Sequence, residues 1–102
     1  MIRITDTVST LTVQGHANDR KHPRSEETMQ ACASVTALVQ ALLYGIWDLG
    51  GDAPKHVIEP GNFKLDKRHL SEKSLLLVDA FILGVQAVST GYPECVQVSK
   101  ED

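Results

Sequence analysis

Ile2 and Ile4 alternate with Arg3 and Thr5, and after a polar break Leu11 and Val13 alternate with Thr12 and Gln14. A period of two puts successive side chains on opposite faces of a strand, so these runs predict a hairpin of two short strands. The second strand ends at Gly15-His16, where a residue without a β-carbon permits a sharp turn or the close approach of a substrate. From Asn18 to Ser25 the chain has no periodicity, several charges and Pro23, which predicts an exposed, mobile loop able to cover a site.

Three- and four-residue intervals follow. Cys32, Val35, Val39, Leu42 and Ile46, with Leu38 and Leu43 beside them, form the apolar stripe of an amphipathic helix. Ser25 or Thr28 can cap it, Glu26 and Glu27 fall in a first turn that favours negative charge, and Gly50-Gly51 ends it. The period then returns to two in His56-Val57-Ile58-Glu59 and Asn62-Phe63-Lys64-Leu65, with Pro60-Gly61 as the turn of a second hairpin. Leu70 to Thr90 predicts a long helix with one narrow polar line, Glu72, Asp79 and Gln86. Gly91-Tyr92-Pro93 stops it, and Cys95 to Ser99 predicts a last strand before a charged end.

The order is ββαββαβ, an α+β fold in which two helices pack on a small, mostly antiparallel sheet, forming a single domain over residues 1–102. The second helix is apolar around most of its circumference. Either the first helix covers the excess or a second subunit does, which makes a homodimer the expectation for the latter.

Composition narrows the classes. Apolar residues at 42% and charged residues at 23% are ordinary for a soluble globular domain. A net charge of −3, with ten scattered Lys and Arg, offers no basic face, so nucleic acid is not an expected partner. The start lacks the apolar core of a secretory signal, and the longest apolar run, Leu75 to Val88, is broken by Asp79 and Gln86, so no membrane span is expected. The expected compartment is the cytoplasm, where Cys32 and Cys95 are free thiols.

A cysteine attacks as its thiolate, and a base or a helix N-terminus helps it ionise. Cys32 falls in the first or second turn of its helix, sixteen residues after His16, so nucleophile and base meet if the fold joins the two ends, and N–H groups of the helix start could hold an oxyanion. Cys32 also falls on the apolar stripe, where a buried, inert thiol is common. His16, His22 and Cys32 as zinc ligands match no standard spacing; no metal or cofactor is expected. His22 reads as a solvated loop histidine, and Cys95 as structural.

Gly15-His16-Ala17, followed after the loop by Cys32-Ala33-Ser34-Val35-Thr36-Ala37-Leu38 and, at the end, by Tyr92-Pro93-Glu94-Cys95-Val96-Gln97-Val98, resembles the motifs of the ribosomal-processing cysteine protease (Prp) family. The resemblance implies a bacterial homodimer that removes a short N-terminal extension from a large-subunit ribosomal protein, with phage relatives that trim capsid proteins. It implies Cys32 as nucleophile and His16 as its base, with Gly15, Ala17 and Thr36 lining the substrate groove. The loop is about four residues longer than is usual in the family, and Met29 stands where an aspartate is usual three residues before the cysteine. Asp19, Glu26 and Glu27 are candidates to replace that acid. A catalytically silent module that binds peptide or a ribosomal protein is the alternative.

Overall fold

The computed structural model describes residues 1–101. Its elements are β1 (Ile2–Asp6), β2 (Thr10–Gln14), α1 (Glu26–Asp48), β3 (His56–Glu59), β4 (Asn62–Asp66), α2 (Glu72–Gly91) and β5 (Val96–Lys100). The predicted order ββαββαβ is the observed one. The strands form one mixed sheet in the order β3-β4-β2-β1-β5, antiparallel throughout except where β5 returns parallel to β1.

The alternation sets which face is covered. Ile2, Ile4, Leu11, Val13, Phe63, Leu65 and Val96 are buried and join one cluster with α1 and α2 residues, so both helices lie on the same face of the sheet. The opposite face carries Thr5, Thr12 and Lys64 in adjacent registers and is mostly polar, as an antiparallel sheet with one solvated face should be, with Val57 of β3 exposed at the end of that row.

Gly45 of α1 faces the Leu77 side chain of α2, and Leu38 of α1 reaches Gly84, so the two helices run antiparallel with leucine packed against glycine at both crossings. By length and composition α1 and α2 could each cross a membrane, contrary to the sequence expectation, because a helix of about twenty residues tolerates isolated polar groups such as Asp79 and Gln86. Their stripes, Val35, Val39, Leu42 and Ile46 on one and Val78, Phe81, Ile82 and Val85 on the other, lie instead in the protein core.

Local signals explain the element ends. Ser25 caps α1: its hydroxyl accepts from the Thr28 amide, and the Thr28 hydroxyl accepts from the Ser25 amide. Ser71 caps α2 in one direction only, its hydroxyl accepting from the Ser74 amide. The Asp52 carboxylate ties the two helices together by accepting from the Ser71 amide at 2.9 Å and from the hydroxyls of Ser71 and Ser74. At the far end of the sheet Lys67 Nζ donates to Asp6 Oδ1 at 2.6 Å and to the Thr7 carbonyl, joining β4 to the β1–β2 turn.

Candidate active site

β3 and β4 extend the sheet past the cover of α1, and a cavity of about 470 Å³ opens beneath the overhang. Its floor is a row of helix-side residues on neighbouring strands, Ile2, Val13, Phe63 and Ile58; its roof is the first half of α1. The β3–β4 turn, Glu59 to Asn62, closes one end.

His16 and Cys32 both line this cavity, so the fold brings the sixteen-residue separation back to one surface. β2 delivers His16, since the strand ends at Gln14 and Gly15 turns the chain at φ +95. A side chain at Gly15 would meet the Met1 carbonyl, so the glycine serves a close approach as well as the turn. The Gly15 amide donates to the Gly61 carbonyl at 2.9 Å, pinning the strand end to the β3–β4 turn. Among the described residues no hydrogen bond joins the imidazole to the thiol; such bonds commonly tighten only when substrate is present.

The helix places Cys32 in its second turn but does not give it the N–H groups expected there. Cys32 is the seventh residue of α1, past the orphan N–H groups of the first turn, and Thr28 N and Met29 N are already taken by Ser25. The helix N-terminus therefore offers no oxyanion hole at the thiol. Cys32 is half-buried, between the sealed core and the open surface. Thr36 and Gln40 follow it one and two turns on, and all three also line a second cavity of about 530 Å³ with Asn18 and Arg24 of the charged loop. That loop thus borders the site.

Gly15 and Thr36 line the first cavity, but Ala17 does not: it is fully buried in the core, where it anchors the start of the loop. Among the described residues none of the candidates for the missing acid hydrogen-bonds to the His16 ring. Asp19 accepts instead from the amides of Lys21 and His22 and from the His22 ring, and it meets the Met1 ammonium at 3.2 Å. These contacts, led by the His22 amide, lower its pKa to about 2. His22 is not freely solvated: its Nδ1 faces Asp19 at 3.1 Å and its Nε2 faces Glu94 at 3.4 Å. It is turned away from a zinc site with His16 and Cys32, and among the described residues no three such side chains converge as metal ligands. Cys95 is buried, and that burial pushes its thiol pKa up, which suits an inert core position.

Sequence reasoning missed Gln40, Ile58, Glu59 and Asn62. Gln40 was available as the eighth residue after Cys32 on the same helix face. The other three come from the second hairpin, whose pairing with β2 no local pattern announces.

Comparison with known proteins adds to this geometry. Residues 1–97 match the sequence model of the family described as cysteine protease Prp. No curated protein matches the sequence. Among solved structures, the ribosomal processing protease Prp of S. aureus in complex with a covalently linked product peptide is similar at TM-score 0.82 and 17% identity, covering 99% of this chain and 100% of that one. The same protease with a substrate peptide gives TM-score 0.81 at 16% identity, with the same coverage. SMU.848 from Streptococcus mutans gives 0.76 at 21%, covering 97% of this chain and 94% of that one.

Proposed function

Because the chain belongs to the cysteine protease Prp family, we propose that it is a cytoplasmic endopeptidase with a Cys32–His16 dyad that removes a short N-terminal extension from a bacterial large-subunit ribosomal protein, or trims a phage capsid protein. The observation that carries this reading is the shared cavity: two residue types able to form a nucleophile and base reach one surface from distant segments. The solved relatives with substrate and product peptides support a peptide as ligand of the same fold.

The chemistry is acyl transfer. His16 takes the Cys32 proton, the thiolate adds to the scissile carbonyl, and the imidazolium returns the proton to the leaving amine as the C–N bond breaks. A thioester remains. Water, deprotonated by His16, adds to it; the C–S bond breaks, and the free carboxylate product leaves the regenerated thiol. Thr36 and the Gln40 carboxamide, along the rim from Cys32, bind the peptide main chain, and the apolar floor of Ile2, Val13, Ile58 and Phe63 receives an apolar side chain. The loop from Asn18 to Ser25 covers the bound peptide, and two copies of the chain pair through the apolar face of α2.

An internally quenched peptide spanning the N-terminal region of the host ribosomal protein tests this. Wild type should cleave it at one bond, and Cys32→Ala should lose the activity by at least about 10³-fold with an unchanged circular dichroism spectrum. The silent binding module is favoured by Met29, which stands where the family's acidic residue is usual. Peptide binding without cleavage, with Cys32 unreactive to iodoacetamide at neutral pH, would establish that alternative.

A further inference from the structure

We propose that Gly61 is the positioning residue for His16, its bare α-carbon forming the backstop against which the imidazole is set. This rests on the reading of His16 as the general base. A catalytic histidine is usually oriented by a third group, commonly a carboxylate, yet here Asp19 is engaged by His22 and the Met1 ammonium. What does meet the ring is the β3–β4 turn. A β-carbon placed on Gly61 would lie 2.6 Å from His16 Nε2, 3.0 Å from Cε1 and 3.3 Å from Cδ2, so the tip of the imidazole occupies the space that any other residue's side chain would fill.

The turn holds this position from two directions. Gly61 accepts from the Gly15 amide, one residue before the histidine, so backbone and ring are referenced to the same point. Asn62 next to it donates to Glu59 Oε1 at 3.1 Å and accepts from Gln14 Nε2 at 3.5 Å, tying the turn to the end of β2. The ring thus meets the turn through its Nε2 end. Cys32 and Glu59 are the other titratable groups lining the cavity.

Gly51 supplies a matched control. Its φ of +72 equals that of Gly61, +71, within a degree, but a β-carbon on Gly51 meets nothing within 4 Å. Gly61→Ala and Gly51→Ala therefore both place a β-carbon at a left-handed φ of the same size, and only the first strikes the imidazole. The readouts are iodoacetamide alkylation of Cys32, mapped by mass spectrometry apart from Cys95, and cleavage of the ribosomal-protein peptide. Gly61→Ala should lower both rates at neutral pH by about tenfold or more, with KM within about twofold, since a displacement near an ångström at the reacting groups costs that order. The alkylation deficit should vanish at alkaline pH, where the thiol ionises without help from His16.

Gly51→Ala should keep wild-type rates. Wild-type or faster rates in Gly61→Ala overturn the proposal. If Gly61→Ala does not fold, the double variant with His16→Ala decides: recovered folding identifies the ring as the obstacle and supports the proposal, and no recovery overturns it. His16→Ala with full cleavage would overturn the assignment of the base and this inference with it, whereas loss in His16→Ala beside full activity in Gly61→Ala overturns the positioning alone.

Discussion

At the scale of single residues, placement along a helix decides what Cys32 can draw on. Six residues separate it from the first residue of α1, so the unpaired N–H groups that would favour a thiolate lie more than a turn away, and the ionising partner must come across the cavity. His16→Ala should accordingly slow iodoacetamide alkylation of Cys32 at neutral pH by about tenfold or more, a loss that a helix-dipole effect acting alone would not produce. Asp19 illustrates what sequence could not reveal. It was legible as a nearby acid, but its engagement by the Lys21 and His22 amides depends on how the loop folds back on itself. With its pKa lowered to about 2 from the ordinary 3.8, its contribution to loop order is complete above 3.8 and fades as pH falls toward 2. Asp19→Ala should raise hydrogen exchange at the Lys21 and His22 amides at neutral pH, measured by NMR, whereas acidifying the wild type to pH 4 should not.

At the scale of elements, nearly every strand and helix was legible because binary patterning and capping chemistry agree. Ser25 precedes the stripe that begins at Ala31 and Cys32, and Pro60-Gly61 separates two alternating runs. What patterning could not supply is the joint between α1 and α2. Asp52 sits in a connector without periodicity, yet its carboxylate collects the Ser74 and Ser71 hydroxyls and the Ser71 amide, and these bonds, led by Ser74, hold its pKa below 3.8. A depressed carboxyl stabilises the fold above its ordinary pKa and loses that contribution as pH falls below it. Thermal unfolding of Asp52→Asn should therefore lie below that of wild type at neutral pH, and the two midpoints should converge in acid. Ser71→Ala, which removes the cap itself, should cost about 1 kcal/mol in denaturant unfolding. The Lys67–Asp6 pair is more sheltered, each side chain 10% exposed. Lys67→Met should destabilise by about 3 kcal/mol, because it leaves Asp6 with its charge and without its partner.

At the scale of the whole molecule, the site exists only because three separated segments converge: the end of β2, the first half of α1 and the β3–β4 turn. Two of them carry residues that could be singled out in sequence; the third contributes backbone, a glycine and an apolar wall, which leave little trace in one dimension. What covers the wide apolar arc of α2, which the pattern left open, the fold answers in part. Val78, Phe81, Ile82 and Val85 are buried in the core shared with α1 and the sheet, and Leu77 and Gly84 meet α1, but Leu76 and Leu83, one heptad apart, remain 69% exposed, with Leu75 beside them at 40%. Fully burying a leucine is worth about 2 kcal/mol, so a two-fold contact that covers this face in both copies gains several leucines' worth of transfer energy, enough to offset much of the entropy of association. A charge placed there forfeits that gain and adds like-charge repulsion across the two-fold axis. Leu76→Glu with Leu83→Glu should convert a dimer to a monomer in sedimentation equilibrium while leaving the circular dichroism spectrum intact, since neither side chain belongs to the core. A wild type that sediments as a monomer at the highest accessible concentration would remove the homodimer from the proposed function.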